Sequence, residues 1–409
     1  MTVDTQERPT ALTPVLATWV RPSRLSRAAL PVTWLLTRAA MLLLLLRDDA
    51  HPIGVGGVAR EVHGLYAHWY ATLAHGAFPA DDPMWQYPPG AGPLLLAPGA
   101  LPGLTYFQGF VALTLAADAL VTYVLVRGDR DPRGAWLWTA GLPLLLHIPL
   151  ARYDVQVTAL AVLALLTLQA APRLSGTLAA LGALVKVWPA LTLLGAPRGR
   201  TTRQAWGSAL AAAAALLVTL ALAFRSPFSF LSGQSGRGVQ IESLGGTALA
   251  VAARFGWPGR VRYQYGAMEY VGPYVGVVAG ACLALTAAAF GVLLWWRVRA
   301  RQYSVATPYD AALCAVLMFT VTSRVISPQY LIWLLGLSAV CLTSRYTSQR
   351  PVALLVLAAA GVSALAYPVL YADVMAGTWL GVAVMAVRNA LLLGGVLLSF
   401  RSLWRATKE

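Results

Sequence analysis

Long apolar runs separated by short polar breaks fill this chain from end to end. About 20 apolar residues in a helix cross a bilayer. The pattern predicts such spans at residues 28–46, 105–126, 135–150, 155–171, 206–224, 273–296, 309–322, 329–342, 352–370 and 379–400. The apolar stretch 90–103 is interrupted by Pro93, Pro98 and Pro102 and reads as a dip into the interface. The run 176–196 has Arg173 before it and Arg198, Arg200 and Arg203 after it, with Lys186-Val-Trp-Pro189 at its middle. One crossing would put those arginines on opposite faces, whereas a re-entrant pair of half-helices, broken by the proline, keeps both ends on one side. The expected fold class is all-α and polytopic, with about ten full crossings plus a re-entrant hairpin, or twelve helices if its halves are counted.

Charge orients this array. Arginine-bearing connections mark the cytoplasmic side. Arg8, Arg21, Arg24 and Arg27 precede the first span, and Arg401 and Arg405 end the last. Both termini are therefore expected in the cytoplasm. Residues 1–27 form a cytoplasmic segment, 28–403 a single transmembrane domain with outer loops 47–89 and 225–272, and 404–409 a cytoplasmic tail. No cleaved signal peptide is expected, because no small-residue cleavage site follows the polar start.

Composition agrees: the 409 residues are 58% hydrophobic and 11% charged, with a mean hydropathy of +0.63. The net charge of +15 sits largely in the orienting connections, so it is no sign of nucleic-acid binding. Two lysines against 29 arginines, with abundant Ala, Leu, Gly and Val, suggest a GC-rich bacterial source and hence a bacterial plasma membrane. Cys282, Cys314 and Cys341 lie in apolar runs and read as packing residues, with neither a disulfide framework nor a metal site.

The unusual polar groups collect on the predicted outer side: Glu61, Asp81, Asp82, Arg152, Asp154, Arg225, Arg237, Glu242, Glu269, Arg324 and Gln329. A transport pathway places polar groups near the midplane of repeated half-helices, whereas an outer rim suits an enzyme taking a substrate from the outer leaflet. In the first outer loop, Val62, Leu65, Tyr66, Trp69, Tyr70 and Leu73 form an apolar stripe at helical spacing. The expected element is an amphipathic helix lying in the interface, aromatic side down. Glu61 is either a functional carboxylate above it or a charge at its N-terminus. Asp81-Asp82-Pro83 reads as a turn, and Tyr87-Pro88-Pro89 as a rigid exit. His63, His68 and His75 lack metal-ligand spacing, so no metal is expected. Lys186, the only lysine in any apolar run, needs a partner: a phosphate, or a carboxylate such as Asp154. Arg152 and Arg324, at outer helix ends, are suited to bidentate phosphate contact.

The layout Glu61-Val-x-x-x-Tyr66-x-x-Trp69-x-x-Leu73-x-x-Gly76-x-x-Pro79, followed by Trp85-Gln-Tyr-Pro-Pro89, resembles the first outer loop of glycosyltransferase family 87. These are GT-C-type membrane mannosyltransferases of actinobacteria and relatives. Ala151-Arg-Tyr-Asp154, Lys186-Val-Trp-Pro189, Arg237-Gly-Val-Gln-Ile-Glu-Ser243 and Ser323-Arg-Val-Ile-Ser-Pro-Gln-Tyr330 continue the resemblance almost to the C-terminus. It implies a polyprenyl-phosphate-linked sugar, usually mannose, as donor, and a glycolipid or cell-envelope glycan as acceptor on the outer face. No cofactor is implied beyond that donor substrate.

The resemblance also implies an acidic general base in the first loop. The family's usual aspartate is Glu61 here, which moves the carboxylate by about 1 Å, enough to matter in a positioned base. Asp154 and Asp82 are the alternative bases. On this reading Arg152, Lys186 and Arg324 hold the donor phosphate. Trp69, Trp85 and Tyr87 stack on sugars, and Arg237, Glu242 and Gln329 complete substrate binding. A lipid-sugar flippase or a non-catalytic scaffold derived from a transferase are the alternative classes.

Overall fold

A computed structural model describes residues 24–127, 130–234 and 237–408. Arg8 and Arg21, used above for orientation, lie outside the described residues. The fold is mostly helical. Among the described residues, six helices are long and apolar enough to cross a bilayer: Ala29–Leu46, Tyr106–Val126, Arg200–Ala223, Val275–Arg299, Arg350–Val369 and Trp379–Thr407. The last continues past 403, the boundary expected for the membrane domain. Tyr106–Val126 starts at a capping box, with Thr105 Oγ1 accepting from the Gln108 N–H and the Gln108 side chain accepting from the Thr105 N–H.

The remaining predicted crossings correspond to shorter pieces, among them Asp154–Thr167, Thr307–Thr322 and Tyr330–Leu342. A 13-residue helix rises only ~20 Å, against the ~30 Å of a hydrocarbon core. These helices manage with less because they sit inside the protein. Thr307–Thr322 and Tyr330–Leu342 are buried on almost every face. The long helices Arg200–Ala223 and Val275–Arg299 instead turn Leu210, Leu222, Val277 and Leu294 outward, as lipid-facing helices of a multi-pass membrane protein do. Backbones approach closely in the centre: a Cβ on Gly336 would stand 2.2 Å from Thr158 Cγ2, the small-residue contact that membrane helix pairs favour.

Two predicted runs depart from simple spans. The run 135–150 is a helix, Arg133–Gly141, followed by two single 3₁₀ turns, Leu142–Leu145 and Ile148–Ala151. Pro143 and Pro149 each remove a backbone donor, and Leu146 adopts a positive φ between them. His147, freed by the break, meets Asp48 Oδ1 at 2.9 Å. In the second run, Pro172–Val185 ends in extended backbone at Lys186, and a 3₁₀ turn, Trp188–Leu193, leads back. Arg173, Arg200 and Arg203 line one small cleft, so the chain does return to the end it left.

The 225–272 segment adds strands to a fold expected to be all helix. β1 (Val239–Gln240), β2 (Arg260–Gln264) and β3 (Ala267–Val271) form an antiparallel sheet in the order β1-β3-β2. Tyr265 and Gly266, both at positive φ, make the two-residue turn between β2 and β3.

Candidate active site

The first loop enters as a wide helical turn, Glu61–Tyr66, of the π type that recurs at functional sites, and continues as Ala67–Ala74. Its apolar stripe does not lie on a membrane surface as expected. Val62, Tyr66, Trp69 and Leu73 are buried within the protein. Tyr66 packs against Phe110 and Tyr153, both at 5.5 Å between ring centroids, and Trp69 meets Trp85 edge-on at 5.1 Å. Aromatic partners elsewhere in the chain claimed the face that periodicity alone assigned to lipid.

Between this loop, the 225–272 segment and the ends of the short interior helices lies a cavity of about 1020 Å³. That size is at the upper end for small-molecule sites. Its wall is built where helices break. Arg152, in extended backbone before Asp154–Thr167, reaches Glu61 Oε2 with Nη2 at 3.5 Å. The same guanidinium donates to the carbonyls of Ala151 and Val58 at 2.8 and 3.3 Å. Lys186, between the helix Pro172–Val185 and the turn Trp188–Leu193, lines the cavity beside them.

The lysine has the internal partner considered above. Its Nζ donates to Asp154 Oδ1 at 2.7 Å, an oxygen that also accepts from Trp333 Nε1 at 2.6 Å. Tyr153 and Trp333 present their rings at 4.8 and 5.3 Å from the ammonium. Asp154 is wholly buried and does not line the cavity. It fits a counter-ion better than a base.

The other predicted residues divide in the same way. Glu61, Trp69, Tyr87, Arg237, Glu242 and Gln329 line the cavity together with Arg152 and Lys186. Trp85 does not, being packed behind Trp69 and Tyr87. Asp82 makes the expected turn, accepting from the Met84 N–H at 2.8 Å and from Trp69 Nε1 at 2.7 Å, and lies off the cavity wall. Arg324 stands behind the wall as well. Its Nη1 donates to the Arg237 carbonyl at 2.9 Å, and its own carbonyl accepts from the Gln240 N–H. Arg237 is the cation that this arrangement turns toward the cavity, steadied by Glu269 at 3.7 Å and the Tyr265 carbonyl at 3.3 Å.

Two carboxyls of the 225–272 segment are perturbed. Burial pushes Glu242 up to about 7, against the opposing pull of the Arg388 guanidinium. Burial also raises Glu269, offset in part by the Gly238 N–H and by Arg237. Residues not singled out from sequence complete the lining, notably Tyr330, Trp333, Tyr367 and Tyr371. Arg388 backs Glu242 from the long C-terminal helix. Its only sequence signal was a charge in an apolar run, a flag for function in membrane helices.

Fold and cavity together define a multi-pass membrane protein with a polar, aromatic-walled chamber at one end of its helices. The family model described as glycosyltransferase family 87 matches residues 85–328, and the chain belongs to that family. It is a membrane glycosyltransferase, for which a sugar donor and an acceptor are the substrates. No curated protein matches the chain.

Proposed function

We propose that this protein transfers a hexose, mannose by preference, from a polyprenyl-phosphate donor to an acceptor hydroxyl on the outer face of a bacterial plasma membrane. The observation that carries this reading is the Glu61 carboxylate on the wall of a chamber that also holds Arg152, Lys186 and Arg237. A carboxylate and several cations are what displacement at an anomeric carbon with a phosphate leaving group requires.

Glu61 takes the proton of the acceptor hydroxyl as its oxygen bonds to the anomeric carbon. The bond from that carbon to the phosphate oxygen breaks, and polyprenyl phosphate leaves with the electron pair. Arg152, Lys186 and Arg237 stabilise the charge gathering on the leaving oxygen, with Arg324 supporting Arg237 from behind. Attack opposite the leaving group inverts the anomeric centre. Tyr87, partly exposed, supplies a flat apolar face for a sugar ring, with the wholly buried Trp69 packed against it. The long, 3.5 Å contact between Glu61 and Arg152 holds the carboxylate in place.

The test is transfer of radiolabelled mannose from polyprenyl-phosphate mannose to membrane glycolipids, comparing wild type with Glu61→Gln in liposomes. Product from wild type and none from the variant is expected. Product from both would assign the base elsewhere. Translocation of the donor without product would favour a flippase, and neither activity a scaffold.

A further inference from the structure

The cavity wall carries both signs of charge: Arg152, Lys186 and Arg237 line it, and so does Glu242. Glu242 is held by a dense set of contacts. It follows β1 and precedes Ser243, whose hydroxyl caps helix Leu244–Arg254 by accepting from the Gly246 N–H at 2.9 Å. Arg388 and Asn389, neighbours on the Trp379–Thr407 helix, clamp this corner from behind. Arg388 Nη2 donates to the Glu242 carbonyl. Asn389 Nδ2 donates to the same carbonyl at 3.3 Å and to Thr247 Oγ1 at 2.7 Å.

The side chains of the pair are less complete than its backbone. Glu242 is 2% and Arg388 0% exposed, and their closest charged atoms are 3.7 Å apart. That is too long for a hydrogen bond. Glu242 Oε2 and Arg388 Nε and Nη1 have no hydrogen-bond partner among the described residues. Buried polar atoms are normally satisfied, so a buried acceptor and donors left open beside a cavity mark a ligand position. Tyr367 lies within charge range of Arg152, Glu61 and Glu242, and its ring meets Tyr371 edge-on at 4.8 Å, with Tyr371 also within charge range of Glu242.

We propose that the Glu242 corner is the acceptor subsite, where Glu242 receives two neighbouring hydroxyls of the acceptor sugar and Arg388 acts as its positioning residue. The proposal rests on the transferase reading of the chamber. In that reaction the order along the reacting atoms is phosphate, anomeric carbon, acceptor oxygen, acceptor ring. The phosphate belongs with the cations and the acceptor oxygen with Glu61, which leaves the acceptor ring to Glu242, the other carboxylate of the lining. A carboxylate there repels phosphate and accepts from hydroxyls, which selects a neutral polyhydroxyl ring over the donor's anionic end.

The full-length protein in nanodiscs tests this in two arms. In steady-state transfer, Glu242→Gln raises the acceptor KM about tenfold, as expected for loss of a charged hydrogen bond, while the donor KM moves less than threefold. Arg388→Lys, keeping the charge, recovers part of the loss that Arg388→Met produces. In the second arm, saturation-transfer NMR with methyl α-mannopyranoside shows binding to wild type that weakens in Glu242→Gln and with the 2-deoxy or 3-deoxy analogue. This arm needs no turnover, so it judges the subsite even if wild type transfers nothing and the transferase reading fails. A rise in donor KM with acceptor KM unmoved, or unaltered methyl mannopyranoside binding by Glu242→Gln, overturns the proposal.

Discussion

Two arginine–carboxylate pairs in this protein use the same chemistry to opposite ends. In the helical interior, Arg38 grips Asp118 with two parallel contacts, Nε to Oδ2 at 2.7 Å and Nη2 to Oδ1 at 2.9 Å. Trp138 Nε1 donates to the same carboxylate at 2.7 Å, and Arg38 Nη1 to the Thr139 carbonyl at 2.6 Å. Neither side chain exceeds 3% exposure. At the cavity, Arg152 and Glu61 stand 3.5 Å apart with a quarter of the Glu61 side chain exposed. The first pair is closed, fixing helices Arg24–Leu46, Tyr106–Val126 and Arg133–Gly141 to one another. The second is held in place yet keeps its carboxylate within reach of a third party. In a membrane protein any buried charge invites a functional reading; completeness of hydrogen bonding is what separates the two uses.

The closed pair gives the largest expected effect. Asp118→Leu leaves the Arg38 guanidinium buried and unpaired, which costs about 3–5 kcal/mol. Thermal unfolding in nanodiscs should show it as a large drop in Tm, and Arg38→Met added to Asp118→Leu should recover most of the loss. Glu61→Gln, by contrast, should leave Tm nearly unchanged. A Tm loss in Glu61→Gln equal to that in Asp118→Leu would erase the distinction.

Next in size is Arg152→Met, read in turnover. Removing one charge-stabilising donor from a preorganised site costs about 10²–10³ in rate. Transfer assays at saturating substrate should show a fall of that order in kcat. A change confined to KM would make Arg152 a simple binding residue and weaken its pairing with Glu61 as a functional unit.

These contrasts also explain what could be read from the sequence. Long apolar runs located the helices because span length is a local property. Pro143 and Pro149 were visible too, but their consequence depended on His147 finding Asp48 almost a hundred residues away. The strands escaped because β1 pairs with β3 across an intervening helix, and no strong turn signal marks Tyr265-Gly266. In the site, Glu61, Arg152, Lys186, Tyr87, Arg237, Glu242 and Gln329 converge on one cavity. Trp85, Arg324 and the alternative bases Asp82 and Asp154 resembled them in type and neighbourhood. Burial and internal partners tell them apart, and both are properties of the folded chain. Arg38, Asp118 and Arg388 stand as charges within apolar runs but were not singled out from sequence, and which carboxylate each arginine meets depends on the fold.

A smaller effect sharpens the intermediate case, Glu242 with Arg388. Burial raises the folded-state pKa of Glu242 to about 7 from the 4.5 of an unburied glutamate. The folded protein therefore binds this proton more tightly than the unfolded chain. The stability it brings is complete below about pH 4.5 and is lost as pH rises through about 7. At ~1.4 kcal/mol per pKa unit, the contribution is on the order of 3 kcal/mol. Glu269, also raised by burial, slopes the same way, so the informative quantity is a difference. Tm measured at pH 5 and pH 8 should fall less in Glu242→Gln than in wild type. Equal slopes would mean that Arg388 keeps Glu242 ionised throughout, moving the pair into the closed class.

The smallest predicted effect tests the comparison where it is most exposed to failure. Asp82 lies on the cavity side of the protein and was an alternative base, yet both its oxygens are engaged like those of Asp118: Oδ2 by Trp69 Nε1 and Oδ1 by the Met84 N–H. By the criterion of completeness it is structural. Asp82→Asn keeps one acceptor oxygen and can preserve only one of the two contacts, so a loss of about 1 kcal/mol is expected, with transfer within about threefold of wild type. Should Asp82→Asn instead lose a hundredfold or more in kcat at unchanged Tm, a carboxylate with both oxygens satisfied would be acting as the base. Completeness of hydrogen bonding would then no longer separate structural from functional charge in this protein.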